Sequence, residues 1–563
     1  MEGHDCGTLR MERVGEGKGG LRIPSWAWHA AAFLLYAGSS LAVGWHGANL
    51  NNDLLGGGSD PFIYMWFLKW WPHALAHHLD PLFTHLVWQP EGLNLGWTTS
   101  IPALALLASP FTITIGPVLT YDMLMLSAPV LAALSAYALC LYLSKNPLAS
   151  IFGGWLFGFS SYAMAHMNQQ LNLEWTALIP LLVLLALKRL NAHIGRLAAV
   201  LGMGLILATQ AGISLEIFAT SIVMAAFAWS LAWVTLKKER ERLASFAVDA
   251  VLAILFSCVL LSPMLYAMFS KPHDMALPKL WPEFFSTDLV NFFLPTESTL
   301  LGGKFFLPVS RHYSGLLCEQ GAYLGLPVLF VLWRYLRRAG WFLPLLFGGI
   351  LLASCGPMLV LGSRETGIPL PWALVVKLPL IGNALPARLM LYASLIVAVV
   401  VSLWLAHAPH AWKWAVAVLA VVFLWPAQAP IQAIPTLKFF EAGNIEKTIG
   451  VGKRVLILPF GIFSPSMYWQ MTSDFVFSQA GGYLVFPPAR LQENTPMMKL
   501  FFGTIGPDTL RALRLYCIAA HVDELIVAPG TDQRLVAGVR AYDWPERRAD
   551  GVTIYSVSGL LAP

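Results

Sequence analysis

Charge is what this chain of 563 residues has least of. Asp, Glu, Lys and Arg together make up only 12% of it, where a soluble domain carries about 25%. Hydrophobic residues make up 57%, and the mean hydropathy is +0.62, so most of the chain must see lipid rather than water. Cysteine is also scarce. Cys140, Cys258 and Cys355 lie inside apolar segments, Cys318 sits at the edge of one, and Cys6 and Cys517 are isolated. No C-x-x-C spacing and no disulfide framework follow from that pattern. The C-terminal region lacks a nucleotide-binding glycine motif, a nucleophile elbow and a zinc spacing, and no internal repeat relates the two halves of the chain, which argues against a secondary transporter.

What charge there is has a pattern. The net charge of +5 comes from basic residues clustered in short connections, KRLNAHIGR (188–196), KKERER (237–242) and RYLRR (334–338). This is the positive-inside signature of a multispanning membrane protein, and it excludes a nucleic-acid-binding face. A basic stretch (Arg10, Arg13, Lys18, Arg22) precedes an uncleaved first span near 25–45. Further spans are predicted near 118–143, 147–165, 174–190, 196–213, 215–236, 244–269, 318–335, 340–361, 387–407 and 410–428. Each is about 17 to 26 residues, long enough to cross a bilayer. Alternation from the basic connections gives about eleven spans, with residues 1–24 cytoplasmic and a membrane domain over 25–428. The loops 47–117 and 270–317 lie outside. The segment 101–116 is apolar but broken by Pro102 and Pro110, and it reads as an interfacial or re-entrant helix.

Residues 429–563 read as an aqueous domain on the outer side. RVLILPF (454–460), ELIVAP (524–529) and GVTIYSV (551–557) have strand patterns, and DTLRALRLYCIAAHV (508–522) is an amphipathic helix. The order suggests a small α/β domain. The loop QAGGYLVFPPAR (479–490) is open to two readings, a structural turn or a glycine pair that lets a substrate approach.

This topology puts the unusual polar residues on the outer face. Asp53 and Asp60 fall in the first outer loop, and His166, Asn168, Gln169, Gln170 and Glu174 border the turn HMNQQLNLEW. Glu216 follows the next outer turn. Asp288, Glu297, Arg311, His312 and Glu319 lie in or beside the second long loop, and Arg364, Glu365 and Arg388 flank the last. Each has an ordinary reading too: His166 as a helix-end residue, Glu174 at a favourable N-terminal dipole, Arg388 snorkelling to headgroups. Together they indicate a polar cavity opening outward.

The stretch GGGSDPFIYMWFLKWW (56–71) is too short to span and too apolar for an ordinary loop. Ser59 or Asp60 can cap a helix whose first turn holds Pro61, and Trp66, Trp70 and Trp71 suit its aromatic side to the membrane interface. Asp60 is then either an N-cap or a carboxylate placed to take a proton from an attacking hydroxyl.

These residues resemble a family. SDPFIYMWFLKWW, PLFTHLVWQPEGLNLGW (81–97), FGFSSYAMAHMNQQLNLEWTALIPLLVLLAL (157–187) and LPLIGNALPARLMLYASL (378–395), with the loop and span arrangement, are similar to the GT-C class of membrane glycosyltransferases. The resemblance implies a mainly α, polytopic membrane domain with a small C-terminal α/β periplasmic domain, in a bacterial inner membrane. It implies a polyprenyl-phosphate-linked sugar donor, contact with membrane lipids, and a glycan, lipid or protein acceptor. Carried onto this chain, the catalytic base falls on Asp60 or, second, Asp53. The donor phosphate falls to Arg388, with Arg311 and His312 as alternatives, and His166, Glu174 and Glu319 join the substrate-binding set. No cofactor is implied; a divalent metal is compatible with the class, but no ligand cluster is evident. The alternative is a non-catalytic GT-C-like protein of envelope polysaccharide or lipid export or assembly.

Overall fold

The computed structural model describes residues 24–47, 49, 52–271, 281–376, 384–408, 410–484 and 487–557. The basic N-terminal stretch, Cys6 and residues 378–383 of the LPLIGN segment lie outside the described residues. The chain forms two compact units, one of residues 1–47, 124–260 and 279–430, the other of 48–123, 261–278 and 431–563.

The first unit is helical. Among the described residues, six helical segments are long and apolar enough to cross a membrane: Pro117–Ser144, Pro147–His166, Leu171–Leu190, Leu215–Thr235, Lys237–Leu260 and Pro386–Ala406. Ser25–Gly44 is also helical over 20 residues. Arg196–Ala211, Leu326–Leu336, Phe342–Ser354 and Ala411–Leu424 are shorter apolar helices. The chain is therefore an integral membrane protein. These four helices are expected spans that come out shorter than predicted, two of them for visible local reasons. Gly325, at φ 77°, precedes the helix that begins at Leu326, and Gly356 and Pro357 lead into a hairpin of Met358–Leu361 with Arg364–Pro369.

Short polar residues start these helices. Asn146 accepts a bond from the Ala149 amide at 3.0 Å with Pro147 in the first turn, and Ser160 and Ser214 cap the helices Ser161–His166 and Leu215–Thr235. The helix Pro147–Gly158 packs through its glycines. A Cβ on Gly158 would collide with the Pro129 carbonyl and Ala133, and one on Gly154 with the Tyr36 hydroxyl and the Ala133 carbonyl. Gly154 and Gly158 form the small-xxx-small spacing that lets membrane helices approach closely. At the basic connection 188–196, Asp249 is fully buried between Arg189 (2.7 Å) and Arg196 (2.6 Å).

The second unit carries a five-stranded sheet in the order Glu546–Ala549, Val552–Ser556, Glu524–Val527, Arg454–Leu458, Ser478–Gln479. Arg454–Leu458 and Glu524–Val527 are parallel, with the helix Thr509–Ala519 in the chain between them. Residues 48–123 belong to the same unit. Asp53–Leu55 pairs antiparallel with Ile431–Ala433, in the register Asp53 to Ala433. The segment 101–116 forms two short helices, Pro102–Leu107 and Ser109–Ile115, with Leu107 and Ile113 exposed.

The glycine contacts predict opposite outcomes at two sites. Gly158→Val forces a β-branched side chain onto a neighbouring carbonyl and should cost about 1–3 kcal/mol or more. Gly348, with nothing within 4 Å of its added Cβ, should tolerate alanine with a small gain. Thermal unfolding of the two variants in detergent checks both.

Candidate functional site

The helix Asp60–Ala76 gathers the candidate acid. Ser59 occupies the cap position without a side-chain bond to the helix, Pro61 lies in the first turn, and Asp60 is the first helical residue. The sequence reading put the aromatic side of this helix on a membrane surface; it is instead buried in protein. Trp66 is fully buried, stacks on Trp70 at 5.2 Å and meets Phe475 edge-on. The reason is a polar partner within the unit. The Trp66 indole N–H donates to Gln470 Oε1 at 3.0 Å, and the Gln470 amide donates to the Leu86 and Phe477 carbonyls at 2.8 and 3.0 Å. Lys69 closes the edge with an ion pair to Asp474 at 2.9 Å and a bond to the Met471 carbonyl. That lysine, through its hydrogen bond, holds the Asp474 carboxyl below its ordinary range.

Asp60 is half-buried, and its Oδ1 accepts a hydrogen bond from the Tyr483 hydroxyl at 3.2 Å. Tyr483 belongs to the glycine loop that the sequence left open, and the loop is fastened by backbone bonds. The Trp88 amide donates to the Gly481 carbonyl, Gln479 to Leu86, and Gln89 to Gln479, at 2.8 to 3.2 Å. Gly482, at φ 122°, passes so close to Val87 and Met467 that a Cβ would sit 3.1 Å from each. The glycines here serve close packing of the chain on itself, and that packing carries Tyr483 to the acid.

Asp53 lies on the strand paired with 431–433, and its Oδ2 accepts the Asn49 amide at 2.9 Å. A buried carboxylate in this unit was missed by the sequence reading. Asp122 is 4% exposed, and its Oδ1 accepts the Leu55 amide at 2.9 Å. Its neighbour Tyr121 stacks on Tyr64, one turn beyond Asp60, at 6.3 Å. The signal was present: an acid six residues into an apolar span is costly and is by default a functional candidate.

The first unit brings a second set together. Arg388, at the start of Pro386–Ala406, forms ion pairs with Glu216 and Glu319. His166 Nε2 lies 3.6 Å from Glu319 Oε2 and its ring packs on Tyr162 at 4.2 Å. Gln170 donates to Glu319 Oε1 at 3.2 Å, and Glu216 Oε1 accepts the Leu385 amide at 3.1 Å. Three residues expected to bind substrate, Arg388, His166 and Glu319, thus converge with Glu216. Others do not. Arg311 and His312 are exposed at the end of a short helix, and His312 Nδ1 is within hydrogen-bond distance of the Pro308 carbonyl. Glu174 is fully buried, with neither carboxyl oxygen bonded among the described residues. No group of three or more His, Cys, Asp or Glu side chains among the described residues is arranged to hold a metal ion.

The buried cluster makes a stability prediction. Arg388→Met would leave two carboxylates without their cation and should cost about 3–5 kcal/mol, the usual penalty for removing one partner of a buried ion pair. Arg388→Lys keeps the charge without the planar fork and should fall between. Denaturant unfolding of the three proteins in detergent measures the order.

No protein-family profile matches the chain, and no curated protein does. Solved structures do. The arabinofuranosyltransferase AftD from Mycobacteria superposes over 95% of this chain with a TM-score of 0.58 at 12% identity. The oligosaccharyltransferase of Archaeoglobus fulgidus, in its apo form, superposes over 89% with a TM-score of 0.50 at 13% identity. The chain spans 42% of the length of the first and 70% of the second. It has the fold of the GT-C glycosyltransferases.

Proposed function

We propose that the protein is a glycosyltransferase of the bacterial inner membrane. It moves a sugar from a polyprenyl-phosphate donor to an acceptor hydroxyl on the periplasmic side, the side opposite the basic connections. The observation that carries this reading is the Tyr483 hydroxyl bonded to Asp60 at the head of a helix packed into protein. A general base needs a carboxylate held in one orientation yet within reach of solvent. Both Asp60 and Asp53 are half-buried; Asp60 is held by Tyr483, far along the chain, whereas Asp53 is bonded to the Asn49 amide of its own loop.

In the reaction Asp60 accepts the proton of the acceptor hydroxyl as the oxygen attacks the anomeric carbon. The new glycosidic bond forms as the bond to the polyprenyl phosphate breaks, and the anomeric configuration inverts. The departing phosphate carries the charge. Within the helical unit, taken by itself, Arg388 is proposed as a phosphate ligand: Glu216 and Glu319 take three of its five guanidinium N–H groups and fix its plane, which leaves two for phosphate oxygens.

A second reading has one observation in its favour. Two carboxylates already neutralise Arg388, which suits a non-catalytic protein of envelope polysaccharide or lipid export or assembly that keeps this arginine as a structural anchor.

Transfer assays on membranes supplied with polyprenyl-phosphate sugars separate the two readings. Asp60→Asn removes the base but keeps the shape, and transfer should fall about 10²–10⁴-fold. Tyr483→Phe removes only the orienting hydroxyl and should cost less. Full transfer in both Asp60→Asn and Asp53→Asn would overturn the mechanism, and absence of transfer from wild-type protein with lipid still bound would favour the second reading.

A further inference from the structure

A cavity of about 580 Å3 lies in the helical unit, walled by the helices Ser25–Gly44, Pro117–Ser144 and Leu178–Leu190. Its charged residues come from one end of all three. His29 stands in the first turns of the first helix, Lys145 follows the last residue of the second, and Lys188 lies in the last turn of the third. This is the end marked by the basic connection 188–196, which positive-inside reasoning assigns to the cytoplasm. From there the wall turns apolar through Leu141, Leu184 and Leu134. Leu134 precedes Lys145 by eleven residues, about 16 Å of helix.

The polar end is unpaired. Neither lysine has an acidic partner among the described residues; Lys145 lies over the Tyr142 ring at 4.6 Å. Two helix C-termini meet here, each worth about half a negative charge. With the N-terminus of the first helix adding about half a positive charge at the same end, the two lysines leave a net charge of about +1.5 before His29 is counted. Tyr137 lines the same cavity, 3% exposed, edge-on to His29 at 5.6 Å, and its hydroxyl has no partner among the described residues. A buried hydroxyl left unpaired is costly unless a ligand completes it.

We propose that this cavity binds an anionic glycerophospholipid of the cytoplasmic leaflet, its phosphate at Lys145 and Lys188 and an acyl chain along Leu141 and Leu134. Basic sites between membrane helices on that face suit such headgroups. A free phosphate would leave the apolar wall unused, and a neutral lipid would leave the lysines unpaired. The inference does not rest on glycosyl transfer.

Native mass spectrometry of the delipidated full-length protein, titrated separately with phosphatidylglycerol and phosphatidylcholine, tests it. The wild type should bind phosphatidylglycerol at least tenfold more tightly. Lys145→Gln with Lys188→Gln should abolish that preference, Lys145→Arg with Lys188→Arg should keep it, and Tyr137→Phe should reduce it several-fold. Because the readout is a ratio of two lipids on one protein, a general loss of stability cancels. An undiminished preference in the Gln pair would overturn the site. So would an equal loss on Lys237→Gln with Lys238→Gln in another basic connection, which would mean bulk surface charge alone, or displacement of phosphatidylglycerol by equimolar polyprenyl phosphate.

Discussion

One buried amide holds the candidate site's unit in shape. Gln470 is completely enclosed, yet it accepts from the Trp66 indole and donates to the carbonyls of Leu86 and Phe477. In a dry interior those bonds are strong because nothing else can replace them, and a half-satisfied set would be worse than an apolar core. The three partners come from the Asp60 helix, the following loop and the C-terminal region, so one side chain fastens the parts that present Asp60 and Tyr483. The backbone bonds between 86–89 and 479–481 then fix the glycine loop, and Tyr483 reaches its acid 423 residues away in sequence.

The helical unit solves a different problem with charge. Arg388, Glu216, Glu319 and His166 each stand at or near a helix terminus, and burying any one alone would be expensive. Together they pin four helix ends, while Asp249 between Arg189 and Arg196 pins the basic connection. The glycine face of Pro147–Gly158 lets the neighbouring backbones close up between these clusters. Where a charge is left unanswered, as at Lys145 and Lys188, the surface has a cavity beside it.

Much of this was legible in the sequence, and the rest was hidden for physical reasons. The helix at Asp60–Ala76 announced itself through Ser59, Asp60 and Pro61, and the strands Arg454–Leu458, Glu524–Val527 and Val552–Ser556 through their apolar runs. Glu546–Ala549, a charged and mostly exposed edge strand, carries no apolar alternation and was invisible. The aromatic helix was misassigned to the membrane surface because a Trp-rich face looks the same whether lipid or protein covers it; only Gln470, far along the chain, distinguishes the two. That Arg388, His166 and Glu319 share one cluster could not be read, since pairing of helix ends depends on packing. Asp122 could have been read, as an acid inside an apolar helix.

The central claim is that Asp60 works on the acceptor hydroxyl as it attacks a lipid-linked sugar. The most direct measurement is a structure of the full chain with a non-transferable polyprenyl-phosphate sugar and an acceptor bound. The account predicts the acceptor hydroxyl bonded to Asp60 and facing the anomeric carbon opposite the phosphate. A donor seated with no carboxylate within one hydroxyl's reach of that carbon would contradict it.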